Sequence, residues 1–588
     1  MEFDKRTILA FILIGFILIF TSTDFYRRLV MPESVKSKSQ TITETKKTEI
    51  PQIDTTVAEK IKHDTTSKKA IFKLPTKVKN EKHITVETNL YRAVFSNKGG
   101  SLLSWTLKKY VDADSNLVQM VGEDGFGNLG ILLPFSEDTL DTGELLFEVN
   151  KKHIVLSKGK NQDNLEFYLD IGDGRLIKKT FTFYNNKYYF DFKVDFIKIN
   201  ELIEEFSYFI TWKSGLRPTE PNLKDDMSRS YGYTFQGDLE KFKAKDKYKV
   251  FDNPTDWVAI RTKYFTCSII PRTIKGEGVI FYGEQIPVGG RQFWKKYAFD
   301  LKMPFYEKDY FSNIFTVYCG PLDYDRIKSF NVNLEKIMDF GWAPIRPFSK
   351  VVLWSFKKLH RVVPNYGFVI IIFSIFIKII LFPLTRKSYK SMKAMQQLQP
   401  LIQEINEKYK DDPQRKQQEM MRLYKEYGVN PLGGCIPMLL QMPLLIALFR
   451  IFSTTIELRQ APFIWWIKDL SRPDTIAKLP FTIPLYGNNI NVLPLFMGVT
   501  MFIQQKISIK DPKQKMMVYF MPIFFTLLFN NFPSGLNLYY ALFNLFSILQ
   551  EKLMPYNPQE LTKKVTETKK AKKLYKRKRT VYDKWRRS

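Results

Sequence analysis

The sequence predicts a membrane α-helical bundle of six spans, five of them forming a core, joined to a large exported antiparallel β-sandwich. Three observations carry this. Apolar runs near 20 residues recur after Phe340, the length that crosses hydrocarbon as a helix. Period-2 alternation dominates from Ile84 to about Asp325. Charge is lopsided: 90 Lys and Arg stand against 60 Asp and Glu, a net charge of +30 over 588 residues. Such an excess points to anionic partners, either lipid head groups or nucleic acid.

Residues 1–24 read as a membrane anchor. Thr7 to Phe20 is apolar and follows Lys5 and Arg6. The following Thr-Ser-Thr is a poor signal-cleavage site, so the segment is expected to stay. Residues 25–83, rich in Lys, Thr, Ser and Glu, read as a disordered linker. Residues 84–330 are the sandwich. In "KKTFTFYNNKYYFDFKVDF", Phe181 and Phe183 alternate with Thr180 and Thr182. Phe190, Phe192, Val194 and Phe196 alternate with polar residues beyond Asn185-Asn186. That is a half-buried hairpin. The three cysteines, Cys267, Cys319 and Cys435, match no zinc or CxxC spacing. Scattered buried thiols are the expectation, with a Cys267–Cys319 bridge as the alternative.

Residues 339–363 mix Val351, Leu353, Trp354 and Phe356 with Lys350, Lys357 and Lys358, a helix suited to lie in the outer interface. Residues 364–555 carry the five further spans, at about 364–385, 432–454, 491–509, 516–532 and 535–553. Between the first two lies a helical hairpin, 386–430. Met395, Leu398, Ile402 and Ile405 form its apolar stripe. Pro400 kinks it. Asp412 with Pro413 opens the second helix, and Gly428 ends it. Orientation follows from loop charge. Residues 386–430 hold ten Lys and Arg, and residues 552–588 hold fourteen against three acids. Both therefore face the cytosol, the sandwich lies outside, and both termini lie inside.

Lys378 is the one charged residue between Phe368 and Leu384. A charge at a bilayer centre costs roughly 2.5–3.5 kcal/mol on insertion scales. The bland account is snorkelling to the cytosolic end. Against it, Cα–Cβ bonds tilt toward a helix's N-terminus, here the outer side. With no carboxylate away from a span's ends, water in a cavity is the expected solvent for the amine. Ser374, Gln441, Gln504, Gln505, Asn537 and Asn544 extend a polar lining, although each alone is more often a helix–helix hydrogen bond. Pro437 and Pro443 are expected to weaken the second core helix.

"FPLTRKSYKSMKAMQQLQP", "EKYKDDPQRKQQEMMRLYKEYGVNPLGGCIPMLLQMP", "ELRQAPFIWWIKDLS" and "FPSGLNLYYALFNLFSILQ" closely resemble the YidC/Oxa/Alb family of membrane protein insertases. "WVAIRTKYF" and "GPLDYDRIK" resemble the periplasmic domain of its Gram-negative members. The resemblance implies a non-enzymatic insertase and chaperone of the inner membrane. It would work alone or beside the Sec translocon on nascent membrane proteins, without a cofactor. It also implies a groove open to cytosol and lipid and closed outside, with a positive residue in its second span. This sequence has Lys378 where the family usually has Arg. Gln441-Met442-Pro443 resembles a substrate-contacting segment. Met442, Leu445 and Leu528 would offer an apolar slide, or simply face lipid. Tyr539 and Tyr540 fit the groove or an interfacial belt.

Residues 556–588 form a basic tail. Lys569, Lys570, Lys572, Lys573, Lys576, Arg577, Lys578 and Arg579 are candidates to contact ribosomal RNA or anionic lipid. A secondary transporter or channel is the rival class, and it usually needs mid-membrane carboxylates. A sugar enzyme in the sandwich is disfavoured: His153 and His83 sit in no acid–base setting. No phosphate loop is present.

Overall fold

A computed structural model describes residues 80–554, apart from 122–126, 136–137, 158, 201–202, 204–205, 290–291, 430–435, 485 and 510–514. The expected anchor, the basic tail, Cys435 and the linker up to residue 79 lie outside the described residues, and the first strand opens at His83, the residue where the linker was expected to end. The chain divides into two compact units.

The first unit is built from mostly antiparallel sheets. One runs, in spatial order, Leu117–Val121, Ser101–Val111, Tyr91–Ser96, His83–Glu87, His153–Val155. A second contains Tyr310–Pro321, Tyr189–Ile197, Arg175–Tyr184 and Gln162–Gly172 as neighbours. A third has six strands, from Tyr248–Phe251 through Gly278–Gly289, Gln292–Pro304, Ser207–Trp212 and Gly130–Phe135 to Asp138–Asp141. The hairpin at Asn185-Asn186 forms as its alternation predicts, with Phe181 opposite Phe192 and Phe183 opposite Phe190. The inward phenylalanines make the core. Phe181 stacks on Phe192 at 4.8 Å, and Phe95 of the first sheet meets Phe181 at 4.9 Å. Two sheets thus share one apolar layer.

Two expectations need correcting. The sandwich is not wholly antiparallel, because His83–Glu87 pairs in parallel with His153–Val155. Long-range pairing of this kind leaves no trace in the period. Nor are Cys267 and Cys319 separate thiols: they form a disulfide. Their strands, Phe265–Pro271 and Tyr310–Pro321, are neighbours in one sheet, which sets the Cα atoms 4.3 Å apart.

The second unit, mostly from Gly320 onward, is helical. We label its longer helices α1 (Arg346–His360), α2 (Tyr366–Gln397), α3 (Gln399–Lys408), α4 (Pro413–Tyr427), α5 (Ile436–Thr454), α6 (Val492–Ser508), α7 (Lys515–Phe529) and α8 (Ser534–Leu553). Among the described residues, α2 alone is long and apolar enough to cross a membrane by length and composition, and Gln441–Thr454 and Val518–Phe529 are shorter apolar stretches.

The amphipathic α1 buries Val352, Leu353 and Phe356 and leaves Val351 and Trp354 exposed. Phe356 sets its edge on Phe373 of α2 and Phe452 of α5. Asn365 caps α2 by accepting from Gly367 N. Gly367 is required there, since a Cβ would lie 1.8 Å from the Phe463 ring. Pro400 acts as a helix start, not a kink: the chain breaks at Leu398, and Pro400 sits in the first turn of α3, where its missing N–H costs nothing. The Asp412 side chain accepts from Arg415 N at 2.9 Å, and Gly428 closes α4 at φ 63°. α3 and α4 share a small core with Ala394, Leu398, Ile402 and Val429.

Candidate functional site

The site is organised by α8. It starts behind Pro533, and Asn537 ties the turn shut, its Nδ2 donating to Phe529 O at 3.2 Å. The helix then buries Asn537, Asn544, Ser547, Gln550 and Glu551 on one side. Spacings of seven, three and three or four put these polar groups on one stripe. α8 packs against α2, α5 and α6, so the stripe faces other helices.

Lys378 of α2 meets this stripe. It is 9% exposed. Its Nζ donates to Ser547 Oγ at 2.6 Å and lies 4.1 Å from the centre of the Phe543 ring. Water was the expected solvent. In the structure a hydroxyl and an aromatic face on α8 contact the amine. Sequence reasoning missed both groups because Ser547 is 169 residues away. A signal was present: Ser547 continues the Asn537, Asn544 spacing.

One to two turns along, toward the hairpin, the polar contacts continue. Gln550 Nε2 donates to Thr385 Oγ1 at 2.9 Å. Ser508 Oγ donates to Glu551 Oε2 at 2.6 Å, and Lys393 Nζ lies 3.4 Å from Glu551 Oε1. Gln396 Nε2 donates to Ser508 O at 2.7 Å. This cluster joins α2, α6 and α8 where α2 leads into the hairpin.

The other predicted residues divide. Ser374 is fully buried, but its hydroxyl donates to Ile370 O of its own helix. Asn544 reaches Thr500 of α6 at 3.4 Å, a helix–helix bond. Gln504 reaches Ser508 at 3.5 Å. Gln441 of α5 faces the Tyr539 hydroxyl, and Gln505 of α6 keeps its buried Oε1 without a partner among the described residues. Met442, Pro443, Leu445 and Leu528 are half-buried. Tyr539 is fully buried, packed edge-on or tilted among Phe373, Tyr540 and Phe543, while Tyr540 sets its ring against Phe529. Pro437 is the second described residue of α5. Pro443 lies inside, and the helix runs on through it. A separate apolar groove of about 520 Å³ opens between α6 and α7, lined by Leu495, Val499, Tyr519 and Ile523. None of the predicted residues lines it.

Polar ties close the opposite end of the bundle. Lys357 of α1 contacts Asp325 at 2.6 Å, Glu457 at 3.1 Å and Asp323 at 3.2 Å. Burial pulls this amine down, but the three carboxylates more than offset it and hold it above its ordinary range. The Asp474 carboxylate reaches across to the start of α6. One oxygen accepts from Leu493 N at 2.8 Å and from Val492 N and Trp466 Nε1 at 3.1 Å. It thus caps a helix whose own N-cap, Asn491, supplies no side-chain bond.

Comparison with known proteins decides the family. Residues 83–354 match the model of the YidC periplasmic domain, and residues 358–560 match that of the 60Kd inner membrane protein. The chain is 40% identical over 486 residues to the membrane protein insertase YidC of Chlorobium limicola, covering 80% of this chain and 82% of that one. The chain belongs to the YidC family of membrane protein insertases. The YidC of Chloroherpeton thalassium is 38% identical over 491 residues, covering 81% and 83%. A crystal structure of an active YidC insertase with its first transmembrane domain resolved aligns over 82% of this chain and 95% of that one, at 22% identity and a TM-score of 0.34. YidC proteins are insertases and not enzymes. The matched models also describe an inner membrane protein with a periplasmic domain.

Proposed function

We propose that this chain inserts apolar segments of nascent membrane proteins by way of the polar stripe of α8, with Lys378 as its positive centre. One observation supports this above others: a lysine amine is held inside an apolar bundle by a hydroxyl and a ring, with no carboxylate partner among the described residues. A polar peptide flank crossing hydrocarbon loses several kcal/mol per unsatisfied group. A polar path through the bundle shortens that crossing. The ammonium draws acidic flanks inward, while Met442, Leu445 and Leu528 offer an apolar slide beside Gln441 and Pro443. The inserted segment then leaves into lipid, driven by burial at roughly 25 cal/mol per Å².

In this reading the chain has six spans, with residues 1–24 as an uncleaved first anchor and both termini in the cytosol. Residues 84–330 lie in the periplasm, and the hairpin 386–430 reaches the cytosol. A thiol-reactive label added outside intact cells tests the topology: it should modify a cysteine at Ser115 and spare one at Ser588. The reverse pattern overturns it. The Sec translocon, the ribosome and anionic lipid are the proposed partners, the last two through the basic tail.

Lys378→Ala tests the mechanism. In proteoliposomes, insertion of substrates with acidic translocated flanks should fall about tenfold or more. That follows from a charge interaction of about 2 kcal/mol at ~8 Å and an effective dielectric of about 20. Substrates with neutral flanks should change little. Equal defects for both kinds would return Lys378 to a structural role. A transporter reading instead requires solute flux in the same vesicles.

A further inference from the structure

The contacts of Lys378 are unequal in what they do. Its Nζ lies 4.1 Å from the Phe543 ring centre and donates to Ser547 at 2.6 Å. Ser547 in turn donates to Phe543 O at 2.7 Å. That bond commits the Ser547 proton to its own helix, so a lone pair faces the amine. A hydroxyl oxygen accepts from both a neutral amine and an ammonium. An aromatic face discriminates: its negative quadrupole attracts the cation and not the neutral form.

The distinction matters because this position holds Lys. A buried lysine can shed its proton, whereas a guanidinium stays charged. The titratable groups that the packed helices bring near are few. α2 adds Tyr389, which faces Ser547, and Lys393. α8 adds Glu551, already engaged by Lys393 and Ser508. α6 adds Lys506 near its end, and α5 adds Arg450, paired with Asp339. Among these described groups, none supplies Lys378 with a counter-charge.

We infer that Phe543 is a positioning residue for insertion: its ring keeps the Lys378 side chain in the cationic form and fixed on α8, while Ser547 sets its direction. The inference rests on the insertase reading. It deepens that reading by naming the group that makes a lysine serviceable at this position.

The experiment uses the full chain in proteoliposomes, with an acid-flanked test segment and the pH on the cytosolic side scanned from about 7 to 10. Insertion by the wild type falls on the alkaline side as the amine deprotonates. Phe543→Leu should move that fall about one pH unit lower, because losing the ring destabilises only the charged form. Trifluorophenylalanine at 543 keeps the shape, weakens the quadrupole and should shift the fall in the same direction. Lys378→Arg should remove the alkaline fall, and the double variant Lys378→Arg/Phe543→Leu should insert as well at pH 9 as at pH 7. An unshifted midpoint in either ring variant overturns the inference. So does an alkaline fall that persists in the double variant, which would place the titrating group somewhere other than Lys378. A wild type that inserts nothing at neutral pH would instead defeat the insertase reading itself.

Discussion

Replacing Asp474 tests how the bundle is closed at the end away from the hairpin. Three donors converge on one buried carboxylate oxygen: Leu493 N at 2.8 Å, Val492 N at 3.1 Å and Trp466 Nε1 at 3.1 Å. Asp474→Ala leaves two first-turn amides of α6 and an indole N–H without this acceptor, and Asn491 offers α6 no side-chain replacement. Bonds to a charged acceptor are worth roughly 1.5–3 kcal/mol each. Burial raises the Asp474 carboxyl despite these bonds, so a value below that range, close to that of a neutral hydrogen bond, applies. About 1 kcal/mol per bond gives about 3 kcal/mol in all. For a unit of a few hundred residues this is a drop of about 6–12 °C in Tm. Thermal unfolding in detergent, followed by tryptophan fluorescence, measures it. Asp474→Asn retains an acceptor oxygen and should lose less than half as much. Equal losses for the two variants, or a loss below about 0.5 kcal/mol for alanine, would refute the cap.

Two further outcomes are expected. Burial raises the Asp300 carboxyl from 3.8 to about 6, against an opposing bond from Tyr282. The folded chain therefore holds a proton that the unfolded chain has already shed. Stability from this group falls as pH rises between about 4 and 6, by up to roughly 3 kcal/mol. Urea unfolding of wild type and Asp300→Asn at pH 4 and pH 7 should show that slope only in the wild type, and identical slopes would contradict it. Deleting residues 560–588 should abolish co-sedimentation with ribosomes in detergent, and added salt should weaken it steeply in the full chain. Unchanged binding after the deletion would leave the basic run to lipid.

Local chemistry makes much of this protein legible in its sequence. Alternation around Asn185-Asn186 fixes which phenylalanines face inward, because a strand's side chains alternate. Asp412, Pro413 and Gly428 mark the ends of α4 because orphan amides and a left-handed residue need those side chains. A lone lysine in an apolar run marks the centre of the candidate site because charge is costly there. Other features waited on tertiary structure. Lys378 meets Ser547 across 169 residues, and Cys267 meets Cys319 across 52. Asp474 caps a helix that starts at Val492. The parallel strand at His153 is of the same kind. A periodic sequence states which face of an element is apolar and which is polar. It does not state which other face it will meet, or in what register. That is set by how helices and strands distant in sequence pack together, since a side chain's partner depends on the position of both elements and its own spacing encodes only one.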